Sequence, residues 1–204
     1  MQHNLLGDYS LWQHIYSALI MMIPIVVGGV LHMVVVTNDW FVALKKPVHK
    51  GLFGANKTWR GFIVMPVITM PGALLLWLIL HFSGLQLTTQ TMQYGWPVLG
   101  LLLGFAYVLF ELPNSFIKRR MGAAPGEVPT KGRLFYVALD QIDSGVGAAV
   151  FYYLFFASPA TTVLCYAILF PLVALVVNRF LFLAKLKNCY TLKALSLWIP
   201  KSLQ

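Results

Sequence analysis

The chain has 204 residues, 59% of them hydrophobic and only 10% charged, and its 15 Lys and Arg against 6 Asp and Glu give a net charge of +9. Several apolar runs reach the roughly 20 residues that cross a bilayer core about 30 Å thick, which excludes an ordinary soluble domain and predicts an all-α, polytopic integral membrane bundle. In such a chain the excess of positive charge serves orientation and phosphate chemistry, so it gives no reason to invoke nucleic acid.

Five transmembrane helices are predicted, at about 15–36, 62–82, 96–112, 134–156 and 161–182. The segment before the first has no Lys or Arg. That run is too long for a signal peptide and lacks a small-residue cleavage pattern, so it is expected to stay in the mature chain. The 38–61 connection carries Lys45, Lys46, Lys50, Lys57 and Arg60. Pro66 and Pro71 in the second span must kink it or free backbone groups. The 83–95 connection has no basic residue. The third span is short and ends near Glu111, where the chain turns polar through a 113–133 loop with Lys118, Arg119, Arg120, Lys131 and Arg133. The 157–160 connection again has none, and Arg179, Lys185, Lys187, Lys193 and Lys201 gather at the C-terminal end. Because positive loops stay in the cytoplasm, five spans alternate consistently only with the N-terminus outside and the C-terminus cytoplasmic. A single domain over 1–204 in the cell membrane is expected, with its working face toward the cytoplasm; the sequence does not speak to oligomeric state. Cys165 and Cys189 predict neither a disulfide nor a cysteine metal site.

The fourth span contains Asp140 and Asp143 within "LDQIDSGVG". At i and i+3 both carboxylates share one helix face, within reach of one ion. Each acid at membrane depth costs on the order of 2.5–3.5 kcal/mol, so the pair must line a polar cavity or be neutralised. With a rise of 1.5 Å per residue from residue 134, the two lie roughly 9–14 Å inside. A buried ion network with Arg60 or Lys118, a transported-ion site and a hard, oxygen-ligated divalent metal all fit that spacing; the absence of neighbouring His and Cys ligands favours Mg²⁺ among metals. Gly145 and Gly147, followed by Ala148 and Ala149, leave room for close helix contact or for a bulky ligand.

Two basic segments share the predicted side of the aspartates. "FGANKTWRG" at 53–61 and "NSFIKRR" at 114–120 combine small or hydroxyl side chains with Lys and Arg, a composition suited to phosphate oxygens. Each alone also fits a juxtamembrane anchor for anionic lipid. Together with the acids they point to a metal–phosphate site.

"NKTWRG" at 56–61, "SFIKRRMG" at 115–122 with Pro125 and Gly126, and "LDQIDS" at 139–144, in this order across five spans, resemble the CDP-archaeol synthase family of lipid-phosphate cytidylyltransferases. The C-terminal half of the phosphatidate cytidylyltransferases is also similar. This chain departs from the latter, with Arg60 in place of Glu, Arg120 in place of Asp and Gln141 in place of Arg, and it lacks a His-Gly-Gly before the last element.

The resemblance implies transfer of CMP from CTP to a lipid phosphate, giving a CDP-lipid and pyrophosphate in phospholipid biosynthesis. It implies Mg²⁺ on Asp140 and Asp143, with Ser144 and Glu111 as further ligands, and Lys118 and Arg119 in the catalytic set. Asn56, Lys57, Thr58, Arg60, Asn114 and Ser115 would bind substrate. Trp59 is read as an interfacial anchor before a base-stacking residue, Arg179 as snorkelling to the surface, and His32, His49 and His81 as sharing no metal spacing. Two other readings stand beside this one: a small cation-coupled transporter or lipid-binding membrane protein, and a CDP-alcohol phosphotransferase, whose opening Asp-x-x-Asp spacing is present without its later aspartates.

Overall fold

The computed structural model describes residues 9–125, 127 and 133–186. Expectations for Gly126, Lys131, Lys187, Cys189, Lys193 and Lys201 fall outside the described residues. Seven α-helices are present among the described residues: α1 (Leu11–Met21), α2 (Ile23–Thr37), α3 (Lys50–Phe53), α4 (Trp59–Ser83), α5 (Gly95–Arg120), α6 (Arg133–Phe155) and α7 (Ala160–Leu183). The one β-type contact among them is an isolated bridge between Pro47 and Thr58.

α1 opens with a reciprocal cap in which Ser10 N–H donates to Gln13 Oε1 at 2.7 Å and Gln13 N–H donates to Ser10 Oγ at 3.3 Å. Met22 separates α1 from α2, and Pro24 in the first turn of α2 has no N–H to continue the ladder, so the helix restarts there. The two make one 27-residue run. This run, α4, α5 and α7 are long and apolar enough to cross a membrane. α6 has 23 residues and carries Asp140, Gln141 and Asp143 in its first half.

The expected loop from 113 is corrected in its first part: α5 continues to Arg120 straight through Pro113. Loss of the Pro113 N–H removes one ladder bond, to Leu109, and packing of the following turns outweighs it. Asn114, Ser115 and Lys118 are buried on one face, whereas Phe116 and Ile117 are exposed. That alternation is helical, so the polar stretch first read as a loop is an amphipathic extension of the span.

The helices neighbour one another in the order α2, α4, α5, α6, α7 and α1, closing a ring because α1 runs into α2. In lipid there is little hydrophobic drive between helices, and close backbone approach takes its place. A Cβ at Gly100 would fall 2.6 Å from Met70 Cα, and one at Gly104 2.5 Å from Pro66 Cα. α4 and α5 therefore touch backbone to backbone at the prolines of α4. Gly145 lies against Phe170, where a Cβ would meet the ring at 2.2 Å, and Gly147 lies against Phe110. Of the two readings of these glycines, the structure takes close helix contact.

The apolar core occupies one half of the bundle: Met21, Met22, Leu76, Leu99, Tyr152, Phe156, Tyr166 and Phe170 are buried together, and Tyr152 Oη donates to Met21 O at 2.8 Å. At this end His14, Thr88 and Thr162 are hydrogen-bonded in a buried chain, with His14 Nδ1 to Thr162 Oγ1 at 2.8 Å and Thr162 Oγ1 to Thr88 Oγ1 at 2.7 Å. The charged side chains collect at the opposite end, where α2 and α5 finish and α4 and α6 begin.

Candidate active site

Asp140 and Asp143 sit on successive turns of α6 and face α5. A single side chain joins them: Asn114 Nδ2 donates to Asp140 Oδ1 at 2.6 Å and to Asp143 Oδ2 at 2.8 Å. Both carboxylates thus lie within one hydrogen-bond length of the same nitrogen. Asp143 Oδ1 also accepts from the Ser144 backbone N–H at 2.6 Å, and Asp140 Oδ1 pairs with the Lys118 ammonium. Glu111, Asn114, Ser115 and Lys118 follow the i, i+3, i+4, i+7 rhythm on one face of α5, from which Asn114 and Lys118 reach the two aspartates.

The 54–58 segment closes the second side. Gly54 has φ +90°, and a Cβ there would lie 3.1 Å from Asn56 Oδ1 and 3.4 Å from both Arg119 Cδ and Pro125 Cγ. Glycine satisfies the backbone angle and lets the segment lie on the Arg119 side chain. Val48 N–H donates to Lys57 O at 2.8 Å and Trp59 N–H to Lys46 O at 2.9 Å, which pins the backbone on both sides of Thr58 and fixes Lys57 at the mouth of the bundle. Its ammonium pairs with Glu111. Burial alone would push the Lys57 ammonium down from its ordinary value, but the Glu111 carboxylate more than offsets this and holds it above.

The expected site residues are therefore brought together unequally. Asp140, Asp143, Asn114 and Lys118 form one connected group, and Lys57 with Glu111 a second beside it. Glu111 is committed to Lys57; among the described residues no three His, Cys, Asp or Glu side chains converge as a metal-binding group. Ser115 and Ser144 are buried next to these groups, and Thr58 precedes the first turn of α4 in an extended conformation. Arg119 Nε and NH1 are buried and, among the described residues, have no hydrogen-bond partner; Asn114 Oδ1 is in the same state. Buried guanidinium donors without an acceptor are costly, and an anion would satisfy them.

Arg60 is placed differently from the phosphate-binding expectation. It is buried, and its NH1 donates to Asp39 Oδ1 at 2.8 Å and to Trp40 O at 3.2 Å. Hydrogen bonds from Lys45 and Arg60 hold the Asp39 carboxyl below its ordinary value. Trp59 is half exposed and meets Phe62.

Two contacts had not been anticipated. Asp39 is the sole acid of its connection, which was the available signal. Asn178 Nδ2 donates to Gln141 Oε1 at 2.6 Å, linking α7 to the residue between the two aspartates. Its signal was an amide inside an apolar run.

A model of the CarS-like family, CDP-archaeol synthase, matches residues 11–191. The chain belongs to this family. Curated relatives include a CDP-archaeol synthase of Thermofilum pendens, 31% identical over 138 residues covering 67% of this chain and 58% of that protein. Another, from Staphylothermus marinus, is 34% identical over 105 residues, covering 51% of this chain and 49% of that one. A phosphatidate cytidylyltransferase of Brucella abortus is 34% identical over 122 residues, 57% of this chain and 41% of that enzyme. The chain spans about two fifths to three fifths of the length of these relatives. No solved structure matches it. The site just described draws residues from each of the three motifs that carry the resemblance to the CDP-archaeol synthase family: Lys57 from 56–61, Lys118 and Arg119 from 115–122, and Asp140 and Asp143 from 139–144.

Proposed function

We propose that this protein transfers CMP from CTP to a membrane lipid phosphate, giving a CDP-lipid and pyrophosphate, with Mg²⁺ as cofactor. The observation that carries the reading is the Asn114 amide holding two carboxylates together beside Lys118 and the unpartnered donors of Arg119. The family and the names of the relatives supply the reaction class.

The charges support the metal. In their ionised forms Asp140, Asp143 and Glu111 are matched by Lys57, Lys118 and Arg119, so the protein's own charge at the site is close to balanced. A triphosphate and a lipid phosphate would add several negative charges, more than these three cations, already matched by the acids, could offset by themselves. The donor set is all oxygen, and two carboxylates completed by substrate phosphates is a common way for Mg²⁺ to be held. Asp140 and Asp143 would be the ligands. When bound, the ion would draw off negative charge from the phosphates as the leaving pyrophosphate departs.

The chain's residues have positioning to do. A phosphate monoester has a second pKa of about 6 and is largely ionised at neutral pH, so the lipid phosphate needs no general base to attack the α-phosphorus. Arg119 would grip phosphate oxygens with its free Nε and NH1. Lys118 and Lys57 would neutralise others, while Asn114 keeps the two carboxylates at fixed separation. Asn56, Thr58 and Ser115 line the same mouth as polar helpers. In-line displacement without a covalent enzyme intermediate follows, since catalysis here is orientation and charge stabilisation.

The same reading gives five spans, with α6 crossing as the fourth, the N-terminus outside and the C-terminus in the cytoplasm. The basic connection 38–58 and the basic end of α5 then lie on the cytoplasmic side, where CTP is found. The head group alone does not select a lipid tail.

Purified protein given labelled CTP, Mg²⁺ and a panel of lipid phosphates should yield labelled CDP-lipid and pyrophosphate. Asp143→Asn should lower that yield by at least about 10²-fold while leaving a folded, inserted protein. Activity near the starting level in this variant would remove the carboxylate pair from the chemistry, and CMP release from added CDP-lipid would point to a phosphotransferase instead.

A further inference from the structure

Residues 38–58 leave α2 at Thr37 and return at Trp59, the ends of two helices long and apolar enough to cross a membrane. This fixes where the connection emerges: at the membrane boundary on the side of the carboxylates. Three consecutive apolar side chains stand outside the α-helices there, the third opening a short 3-10 turn over Val42–Leu44. Trp40, Phe41 and Val42 are 53%, 54% and 61% exposed. Exposed apolar residues along a spanning helix meet acyl chains, but these sit in a connection, where water would be their neighbour unless the lipid surface covers them. Exposed Lys45 and Lys46 follow within one short turn, suited to lipid phosphates while the aromatic groups lie deeper.

The backbone is shaped to make this presentation. Asp39 has φ +49° and Phe41 φ +58°, the left-handed region that non-glycine residues seldom occupy. The strain is held by Arg60, which grips Asp39 Oδ1 and Trp40 O, and by Lys45, which reaches the same carboxylate at 2.9 Å. From Lys46 onward the chain pairs with 57–59 through the two backbone bonds that hold Lys57 in place. An unbroken path therefore joins the exposed aromatic residues to the lysine at the mouth of the site.

We infer that Trp40, Phe41 and Val42 form an interfacial wedge, seated between the head groups and the acyl chains of the leaflet on the carboxylate side, and that it sets the depth at which the Lys57 segment meets that leaflet. Its partner is the bilayer surface. Aromatic rings with one polar edge favour this zone, and the Trp40 indole with neighbouring lysines has that character. Arg60 is on this view the strut of the wedge, which explains why a buried guanidinium in the 56–61 motif is spent on a loop carboxylate.

The test places the protein in nanodiscs whose lipids carry bromine on acyl carbons close to the head group, and subtracts the tryptophan emission of Trp40→Phe from that of the unaltered chain. The Trp40 component should lose most of its intensity to these lipids. A Trp40 component untouched by bromine overturns the wedge, whether aqueous iodide quenches it, as for a loop in water, or spares it, as for a site buried against another protein. Phe41→Asp, compared directly with the unaltered chain, should lower the bromine quenching of the total tryptophan emission, since Trp40 is the tryptophan beside the substitution; an unchanged total overturns the proposal even if Trp40→Phe folds poorly. The readout needs no substrate, so its failure leaves the proposed reaction standing and failure of the reaction leaves the wedge standing.

Discussion

Asn114 is the side chain on which the geometry of the site turns. One amide nitrogen serves two carboxylates, so removing it frees both to separate or rotate. Asn114→Leu keeps the branched outline and deletes the bridge. On the proposed reading Asn114 orients two metal ligands, a role worth about 10–100-fold in metal affinity or activity, and the Mg²⁺ concentration for half-maximal CDP-lipid formation should rise by that factor. A metal titration at saturating CTP checks it; an unmoved midpoint would make Asn114 a packing residue. The carboxylate pair, Lys118 and Arg119 were legible in the sequence because helical spacing and charge type survive folding. The fate of Arg60 was not. Its bond to Asp39 spans 21 positions and depends on two left-handed residues, Asp39 and Phe41, that carry no glycine to announce them.

α6 presents different faces to its two neighbours. Asp140 and Asp143 look to α5, while Gln141 between them bonds Asn178 on α7. This amide pair pins the rotation of α6 from behind, since a turn of the helix that kept the acids on Asn114 would have to keep Gln141 on Asn178 as well. Interhelical hydrogen bonds in membranes are worth only about 0.6 kcal/mol on average, so Asn178→Leu should cost little stability. Its expected signature is a raised Mg²⁺ midpoint with thermal unfolding nearly unchanged, partly restored by Asn178→Gln. An equal loss of stability and activity with a fixed midpoint would leave it a plain packing contact. At this scale the helices were legible to within a few residues, apart from the end of α5. Proline and a run of charge mark a boundary in water. In a bundle with an acidic partner helix, the same charges are what bury the extension.

Across the whole molecule, the alternation of apolar runs and the confinement of Lys and Arg to certain connections made the order of helices readable. The circuit that closes α1 on α7 was not, because helix neighbours are chosen by small-residue contacts such as Gly100 on Met70 and Gly104 on Pro66, which leave only scattered glycines in the sequence. The proposed orientation has its own test: in a Cys165→Ala, Cys189→Ala background, Lys50→Cys should react with an impermeant maleimide from the cytoplasmic side and Leu85→Cys from the other. Labelling of both from one side would contradict five spans. The apolar half, where Tyr152, Phe156, Tyr166 and Phe170 are buried together, carries a further consequence. On the proposed reading nucleotide would enter and pyrophosphate leave at the charged end, while the packed half would keep the reaction from opening a path for ions across the membrane.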